Sequence, residues 1–585
     1  MHQLCHRFGF LAVLALAANL SSFAQCPFPK PVATNILNYS FEPIVAGDKM
    51  SLRVTLTFRG AANGRARLKL PSEWAGQRHA ENSVTDIQML TPATTIEQLS
   101  SPAEKELHFP PNSVVRISYV LVKDWDGRLD SGTRFRADLS PQYFHLIGAT
   151  SLVHPAFEDV QVVDVHFDWQ RLPAEWSLAT SFGTGDRCQS FHGLWHYALH
   201  SLLVGGDYRI HRTEIAGNSV NFAIRGSWSF SDEEWIRQAS KIVEFERTFW
   251  RDNDFPYFLI TLTPLDQDHG SSGGTALTNA FMEHLSRLDE LNHGVLGILA
   301  HETFHAWNPY KTGLPHGSGY AVSWFYEGFT HYYQDLMLFR AGLLNFPDYV
   351  VSVNEGIRKY ALNEGVNVSL AEFVHRHSAD NSVLNQLDYR RGMVLALWLD
   401  ATIRQRSHNR ASLDDVMFDL VRQESAHLRG RDRKPLRLTN HRIFAAVTPY
   451  LGRQLTGSLR RYVEQGGIIP IPEGAIGTCV RARTDLLARF DPGFDASRLN
   501  NGNKIVAGVE TESEAYRAGL RNGQELLHWS IHNGDTSQEV RLTLKADDGE
   551  RVLTYLPQGG RMPVQQFAVD QEKYRADPGM CAKAQ

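Results

Sequence analysis

Residues 301–305 read His-Glu-Thr-Phe-His, and this short motif constrains the fold more than any other feature of the 585-residue sequence. Two histidines four positions apart share one face of an α-helix, so they can bind one metal ion if the segment is helical. The apolar residues 294–300 that precede the motif are typical of a buried helix. Glu302 lies beside the two ligands, where its carboxylate can take a proton from a water that Zn²⁺ acidifies. The motif therefore predicts a helical zinc site with Glu302 as the general base.

A catalytic zinc site needs a third protein ligand and one open position. Glu327 is the strongest candidate, because it lies in the aromatic segment Trp-Phe-Tyr-Glu-Gly-Phe-Thr-His-Tyr-Tyr of residues 324–333. A carboxylate in such an apolar segment is costly to bury unless a metal or an opposite charge compensates it. His331, one helical turn later, is an alternative ligand or a side chain that supports the ligands. The sequence therefore predicts one Zn²⁺ per chain, bound by His301, His305 and Glu327.

The overall charge argues against a nucleic-acid partner. The chain has 59 basic and 64 acidic residues and a formal net charge of -5, so it has no basic excess for phosphate contacts. Hydrophobic residues make up 43% of the chain, which is enough for buried cores. After the N-terminus, no apolar run reaches the ~18–20 residues that cross a bilayer. These values favour a folded protein whose mature form has no transmembrane segment.

Residues 1–24 have the features of a signal peptide. Arg7 gives the start a positive charge, residues 8–20 are apolar, and a small-residue cleavage site ends at Ala24. An uncleaved N-terminal anchor is the alternative, and a lipid on Cys26 is disfavoured by the glutamine that precedes it. The features favour a periplasmic or secreted protein.

The mature chain contains four cysteines, an even number that suits disulfide bonds in an oxidising compartment. None belongs to a Cys-x-x-Cys pair, so a thiolate zinc site is not indicated. Three pairings are possible, and the sequence does not choose among them. The cysteines are Cys26, Cys188, Cys479 and Cys581.

Hydrophobic periodicity predicts a multidomain α+β protein. Residues 25–180 contain strand patterns, such as the strict alternation of residues 51–58, and predict an antiparallel β domain. Residues 181–470 are mainly helical and contain the zinc motif, so they are expected to form the catalytic domain. Within them, Ser231 and Glu234 have the spacing of a capping box at the start of a helix.

Short strands return near the C-terminus, after a change in composition. The Gly- and Pro-rich residues 466–477 predict a linker that few contacts cross. Residues 504–509 and 540–544 are candidate strands of a further domain that spans residues 478–560. The remaining residues 561–585 are expected to form a C-terminal tail.

The residues around the zinc motif resemble the glycyl aminopeptidase family of metallopeptidases, M61. The pair Trp307-Asn308 after the second histidine and the aromatic segment 324–333 carry this resemblance. It implies a gluzincin with an N-terminal β domain, a thermolysin-like helical catalytic domain and a C-terminal PDZ domain. It also implies that Tyr389, which begins the Tyr-x-x-Gly segment 389–392, donates a hydrogen bond to the oxyanion of the transition state.

One segment departs from the pattern of the related aminopeptidases, which carry a Gly-Gly-x-Glu strand. The backbone of that strand pairs with the substrate, and its glutamate binds the free α-amine. The resemblance places this substrate-binding strand at Gly273, Gly274, Thr275 and Ala276, with Ala276 in place of the glutamate. The amine anchor is therefore expected to be absent. The alternative anchors are Glu283, Asp266 and Asp268.

The C-terminal region resembles a PDZ domain. Residues 491–494, Asp-Pro-Gly-Phe, are similar to its carboxylate-binding loop, with Gly493 and Phe494 as peptide-binding residues. Residues 514–527 are similar to its short helix and the following turn. Such a domain binds an extended peptide or its C-terminus. A structural lid packed on the catalytic domain is the alternative.

Together these features predict a zinc-dependent peptidase that acts on peptide or protein substrates. Its motifs are those of an aminopeptidase family, but Ala276 favours endopeptidase activity. The alternative function is that of a catalytically degenerate protein that binds peptides through its PDZ-like domain.

Overall fold

The computed structural model describes residues 26–267, 272–317, 319–379, 384, 386–429, 434–500, 503–532, 534–547 and 549–583. The chain forms two compact units, of which the first contains Met1–Asp126 and Phe135–Tyr208, and the second contains Gly127–Arg134 and Arg209–Gln585. The predicted signal peptide lies outside the described residues. Within those residues, no helix is both long and apolar enough to cross a membrane.

The first unit is built from three β-sheets. The strands are β1 Ile36–Ala46, β2 Lys49–Arg59, β3 Arg65–Lys69, β4 Val84–Met89, β5 Thr95–Gln98, β6 Glu104–His108, β7 Val114–Leu121, β8 Asp138–Ser140, β9 Tyr143–Ile147, β10 His154–Pro155, β11 Val162–Trp169, β12 Ser177–Thr180, β13 Gly183–Thr184, β14 Cys188–Leu194 and β15 Leu202–Gly206; the helices are the 3-10 turn Ala80–Ser83, α1 Gly148–Ser151 and α2 Trp195–Leu199. The strand orders of the three sheets are β14-β11-β1-β2-β7-β4, β10-β3-β6-β5 and β13-β12-β15-β9-β8. All pairs are antiparallel except β1 with β11, which is parallel.

The alternation of residues 51–58 is confirmed in β2, where Leu52, Val54, Leu56 and Phe58 are buried in the core. The unit extends to Tyr208 rather than ending at residue 180. The reason is that β15 pairs with both β12 and β9, which keeps it in the same sheet. A disulfide between Cys26 and Cys188 also lies in this unit.

The second unit contains a five-stranded sheet and most of the helices. The strands of this unit are β16 Arg209–Ile215, β17 Asn218–Ile224, β18 Tyr257–Pro264, β19 Gly273–Leu277, β20 Ala280–Leu285, β21 Leu314–Pro315, β22 Arg437–Leu438, β23 Val480–Phe490, β24 Leu526–Ser530, β25 Val540–Ala546, β26 Gly549–Tyr555 and β27 Gln558–Val569. The first five of them form the five-stranded sheet in the order β16-β17-β18-β20-β19, so β19 is its edge strand among the described residues. The helices are α3 Asp232–Trp250, α4 His293–Phe304, the 3-10 turn Tyr320–Val322, α5 Ser323–Arg340, α6 Phe346–Ala361, α7 Leu370–Ala379, α8 Leu387–Ser407, α9 Leu413–Leu428, α10 Asn440–Glu464, α11 Ser497–Asn500, α12 Glu514–Arg517, α13 Gln571–Ala576 and α14 Pro578–Lys583.

The expected helix after Ser231 is α3. The Ser231 side chain accepts a hydrogen bond from the Glu234 backbone N–H, which is half of the predicted capping box. Trp235, Val243 and Trp250 of this helix are buried in a hydrophobic core that also contains residues of the sheet and of α4.

Strands β23 and β27 pack on the catalytic core rather than apart from it. Asn354 of α6 donates to the Phe567 carbonyl oxygen at 2.8 Å and accepts from the Phe567 N–H at 2.7 Å. The expected linker is packed, because Ile469 and Ile476 are buried in the same core. The expected tail is also ordered, since β27 pairs with β23 and a disulfide joins Cys479 to Cys581.

Residues 491–555 have a small core of their own, which includes Phe494, Leu526 and Leu542. Residues 540–544 lie in strand β25, as predicted. The strand expected over residues 504–509 is wrong, because only Ile505 pairs, in one isolated bridge. Gly508 has a φ of 67°, which ends the extended conformation.

Candidate active site

The histidines of the motif lie at the end of α4, a helix that is buried over most of its length. The Asn292 side chain starts this helix by accepting hydrogen bonds from the N–H groups of Gly294 and Val295. His301 and His305 point from its last turn toward Glu327 of α5. Their Nε2 atoms each lie 3.3 Å from the same Glu327 oxygen, Oε2.

These three side chains form the group of ligand atoms expected for zinc. One ligand atom from each lies within 4.8 Å of the other two. The His305 Nδ1–H donates to the Asn308 carbonyl oxygen at 2.7 Å, which leaves Nε2 available as a ligand. Two imidazoles and a carboxylate are the donor set of a catalytic zinc site. The residues present therefore fit Zn²⁺.

The electrostatics of the group also favour a cation. Burial lowers the pKa of the His305 imidazole, but the Glu327 carboxylate outweighs burial and raises it to about 9. Burial raises the pKa of Glu327, yet His305 and His301 together hold it well below its ordinary range. The carboxylate therefore stays ionised in a partly buried position, where a positive partner stabilises it.

Asn308 connects the two ligand-bearing helices. Its side chain is fully buried, and its Nδ2 lies 3.4 Å from the Phe325 and Tyr326 carbonyl oxygens and 3.3 Å from the Thr330 hydroxyl. The Asn308 carbonyl oxygen accepts from His305, while the Asn308 side chain contacts the turn of α5 that contains Glu327. The family resemblance in the sequence includes Asn308, and the structure shows that this residue joins the two helices.

Glu302 lies at the edge strand β19, beside the ligands. Its side chain is 8% exposed, and burial raises its pKa. A Cβ atom on Gly274 would lie 2.6 Å from the Glu302 Cγ, so only glycine allows the strand to pass this close. The carboxylate therefore lies between the ligand group and the strand expected to bind the substrate.

Tyr389 lies in the first turn of α8, with its ring stacked on that of His301 at 5.9 Å. Burial and the nearby Glu327 carboxylate raise its pKa well above the usual value. The hydroxyl therefore stays protonated and remains a hydrogen-bond donor at the site.

His331 does not join the ligand group. Arg390 donates to its Nε2, and its Nδ1 lies 3.0 Å from the Gln334 Oε1. Because an arginine can only donate, His331 Nε2 must accept and Nδ1 must carry the proton. His331 thus supports the neighbouring rings of His301 and Tyr389 rather than joining the ligands, which is the second role that the sequence left open.

Strand β19 contains the predicted substrate-binding residues on an open sheet edge. Among the residues that the structure describes, it pairs antiparallel with β20 on one side and has no strand on the other. Ala276 lies on the same face as Gly274, because side chains two positions apart share a face of a strand. The Tyr310 hydroxyl donates to the Ala276 carbonyl oxygen at 3.4 Å. Thr275 lies on the opposite face.

Each described alternative amine anchor already has a partner. Glu283 is 0% exposed, and its Oε2 accepts from the Trp235 indole N–H at 3.0 Å, whereas its Oε1 has no hydrogen-bond partner among the described residues. Glu283 pairs with Gly274 across the sheet, so it lies beside the substrate strand, but burial raises its pKa well above the ordinary value and favours the neutral form. Asp266 accepts from the Leu129 N–H and from the guanidinium of Arg287. Asp268 lies outside the described residues.

The loop expected to bind a peptide carboxylate is closed on itself. The Gly493 N–H donates to the Asp491 Oδ1 at 2.7 Å. The Phe494 side chain is buried in the local core, and the Gly493 carbonyl oxygen accepts from the Glu510 N–H. The Gly493 N–H, one of the groups that would bind a peptide C-terminus, is therefore already bonded within the loop.

Arg134 is a charged residue near the site that sequence reasoning missed. A Cβ atom on Gly273 would lie 2.7–2.9 Å from three atoms of its guanidinium. No motif marks Arg134, because it is separated from the zinc helix by more than a hundred residues of sequence.

Comparisons with known proteins give one family and several solved structures that this chain is similar to. Residues 294–391 match the profile of the family described as M61 glycyl aminopeptidase. No curated protein gives a significant match. The structure is similar to an aminopeptidase N family protein from Idiomarina loihiensis, with a TM-score of 0.70 and 18% identity over 94% of this chain and 100% of that chain. An M1 zinc metallopeptidase from Deinococcus radiodurans, bound to a Tyr-Ser-Ala substrate, has a TM-score of 0.45 and 14% identity over 75% of this chain and 96% of that chain.

Proposed function

Because the chain belongs to the M61 metallopeptidases and is a zinc hydrolase, we propose that it cuts peptide bonds without needing a free substrate N-terminus. The observation that carries this proposal is the absence of a carboxylate on β19 next to the zinc site. Ala276 occupies the position from which a glutamate would bind the α-amine. Among the described residues, Asp266 is bound by Leu129 and Arg287, and Glu283 is fully buried with a raised pKa that favours its neutral form.

The open edge of β19 supports binding of a peptide in extended form. An edge strand offers backbone N–H and C=O groups that pair with a peptide backbone, and this pairing does not require a chain terminus. Gly274 brings this edge against Glu302. A bound peptide would thus place one of its internal carbonyl groups beside the ligand group.

The residues of the site divide the chemistry among them. His301, His305 and Glu327 would hold Zn²⁺, which polarises the carbonyl group and acidifies water when it is bound. Glu302 takes the proton of the attacking water and passes it to the amine that leaves. The Tyr389 hydroxyl donates a hydrogen bond to the oxyanion, which strengthens as negative charge develops. Because the site is buried, its low effective dielectric strengthens both the polarisation of the carbonyl group and the hydrogen bond from Tyr389.

The proposal is tested with one peptide in free and N-acetylated forms. We expect the zinc-loaded protein to cut both with kcat/KM values within a few-fold of each other, at the same internal bond. Mass spectrometry of the products identifies that bond. A loss of tenfold or more on acetylation would instead establish an aminopeptidase, since a charge-assisted contact to the α-ammonium supplies roughly one to two decades of rate.

The location proposed for the protein is the periplasm or the extracellular space. The disulfides Cys26–Cys188 and Cys479–Cys581 support an oxidising compartment. Fractionation of the native host, with the N-terminus of the mature chain read by mass spectrometry, tests this location.

A further inference from the structure

Glu283 is a buried carboxyl group beside the general base, and the reaction described above does not use it. It lies on β20 and is 0% exposed. Its Oε2 accepts a hydrogen bond from the Trp235 indole N–H at 3.0 Å. Its Oε1 is also buried and has no hydrogen-bond partner among the described residues. One oxygen of this carboxyl group therefore lacks the partner that a buried polar atom normally has.

The pairing of the sheet places Glu283 next to Glu302. Glu283 and Gly274 are directly opposite each other on β20 and β19. Their side-chain positions therefore share one face of the sheet, where paired Cβ atoms lie about 4.5–5.5 Å apart. A Cβ atom on Gly274 would lie 2.6 Å from the Glu302 Cγ and 3.0 Å from the Glu302 Oε1. Because Gly274 has no side chain, the space between the two carboxyl groups is open and within reach of a glutamate side chain.

The surroundings of Glu283 favour a neutral acid. Burial raises the pKa of its carboxyl group well above the usual value, and the hydrogen bond from Trp235 opposes this effect only in part. The charges of Glu302 and Asp289 raise it further, since like charges repel strongly where water is excluded. A protonated carboxyl group has one O–H donor. Because Oε2 accepts from Trp235, Oε1 is the oxygen that carries the proton and needs an acceptor.

We propose that Glu283 is a positioning residue of the peptidase reaction, which donates a hydrogen bond from its Oε1–H to the Glu302 carboxylate and so fixes the orientation of the general base. This inference rests on the proposed peptidase function. A carboxylate that accepts through one oxygen holds its other oxygen in a defined direction, here toward the attacking water. A base that is already oriented needs less rearrangement to reach the transition state. Glu283 is fully buried, so it acts through Glu302 and not on the substrate.

This role separates activity from stability. A buried carboxyl group is costly, and an apolar side chain of similar shape in its place is usually neutral or stabilising. Removing the carboxyl group of Glu283 should therefore impair turnover without impairing the fold. Glu246 provides a matched comparison, because it is 0% exposed and both of its carboxyl oxygens lack a partner among the described residues. It lies on α3, outside the sheet that contains the substrate strand.

The kinetic test uses one peptide and the full-length, zinc-loaded protein. Glu283→Met keeps the length of the side chain but removes its donor, so we expect kcat to fall roughly 10- to 100-fold with little change in KM. Glu283→Gln keeps an N–H donor for Glu302 and an acceptor for Trp235, so its kcat should stay within a few-fold of the wild-type value. The control Glu246→Met should leave kcat unchanged. Urea unfolding and zinc content should show that both methionine variants are at least as stable as the wild-type protein and fully loaded.

Infrared spectroscopy tests the protonation state of Glu283 without a substrate. A protonated carboxylic acid has a C=O stretching band that a carboxylate lacks. The difference spectrum between the wild-type protein and Glu283→Gln isolates the band of Glu283, and we expect to find it near neutral pH in the zinc-loaded protein. This measurement does not depend on the folding of a methionine variant.

Four results would overturn the role of Glu283 alone, while the wild-type protein still cuts peptides. They are an ionised Glu283 in the infrared spectrum, an unchanged kcat in Glu283→Met, an equal loss of kcat in Glu283→Gln, and a loss of stability in Glu283→Met that accounts for its loss of activity. The last of these would assign Glu283 to packing. A wild-type protein that cuts no peptide would overturn the proposed function, and this inference with it.

Discussion

Gly328 of α5 and Gly392 of α8 face each other where the two helices cross. A Cβ atom on Gly392 would lie 2.6 Å from the Gly328 Cα and still closer to the Trp324 carbonyl oxygen. Glu327 precedes the first glycine, and Tyr389 lies one turn before the second. The close crossing therefore brings together the proposed third zinc ligand, Glu327, and the proposed oxyanion donor, Tyr389.

Gly392→Ala should separate the helices and disable the site. The added methyl group meets backbone atoms that cannot rotate away, so we expect a loss of about 1–3 kcal/mol of stability. We also expect a larger fall in kcat than in thermal stability, because Glu327 and Tyr389 move apart. Urea unfolding and steady-state kinetics measure the two effects.

The matched control is Gly457→Ala in α10, where no atom lies within 4 Å of the added Cβ. It should stabilise the protein by about 0.5–1 kcal/mol, because alanine is the better helix former. Equal effects of the two substitutions would contradict the importance of the crossing.

Tyr389→Phe should lower kcat by roughly 10²- to 10³-fold with a smaller change in KM, which is the usual result of losing one oxyanion donor. The ring remains and can still stack on His301, so zinc content should not change. Tyr310→Phe is the control, because that hydroxyl donates to the Ala276 carbonyl oxygen at 3.4 Å rather than to the expected oxyanion. An unchanged kcat for Tyr389→Phe would assign the donor role to another group.

A chain that ends at Pro472 should lose stability in the catalytic core. This truncation removes Val480 and Phe567 from the main core and the strand that binds Asn354. We expect a lower unfolding midpoint and partial loss of zinc. The milder change Cys479→Ser with Cys581→Ser keeps both strands and should cost about 2–4 kcal/mol. A truncated protein as stable as the full chain would restore the idea of an independent C-terminal domain.

The pH dependence of stability should change on replacing His293. Its Nε2 lies 2.9 Å from the Asp335 Oδ1, and this hydrogen bond raises the pKa of His293. A raised histidine pKa adds stability that is complete below the unfolded value of about 6.5 and is lost as pH rises through the folded value. Because the side chain is 41% exposed, the effect should not exceed about 1 kcal/mol.

Relative to His293→Gln, the wild-type protein should therefore lose stability as the pH rises above the unfolded value of about 6.5. Denaturant unfolding of both proteins at several pH values measures this difference. His441→Gln, at an exposed position, should follow the wild-type curve. Parallel curves of unfolding free energy against pH for the wild-type protein and His293→Gln would show that the Asp335 contact adds no net stability.

Sequence patterns predict those parts of this protein whose structure depends on residues that are close together in the sequence. The spacing of His301 and His305 requires a helix, and the alternation of residues 51–58 requires a strand. Glu327 follows from the cost of an uncompensated buried carboxylate. The identification of Tyr389 came from a family resemblance, because its role depends on the helix crossing at Gly328 and Gly392.

Features that depend on long-range packing were not predictable in the same way. The Gly- and Pro-rich composition of residues 466–477 indicates a linker, but Ile469 and Ile476 are buried by a core that is distant in sequence. Arg134 reaches the site through a turn anchored on Asp266, which no periodic pattern reveals. The pairing of the four cysteines likewise depends on which segments the fold brings together.

The most direct test of the central claim measures zinc content and peptide turnover on the same samples of wild-type protein and Glu302→Gln. We predict one zinc per chain in both, turnover in the wild-type protein that a chelator removes and Zn²⁺ restores, and no measurable turnover in Glu302→Gln. In the same assay Glu327→Ala should bind zinc weakly. Near-native turnover of Glu302→Gln, or turnover by the wild-type protein without bound metal, would contradict the account.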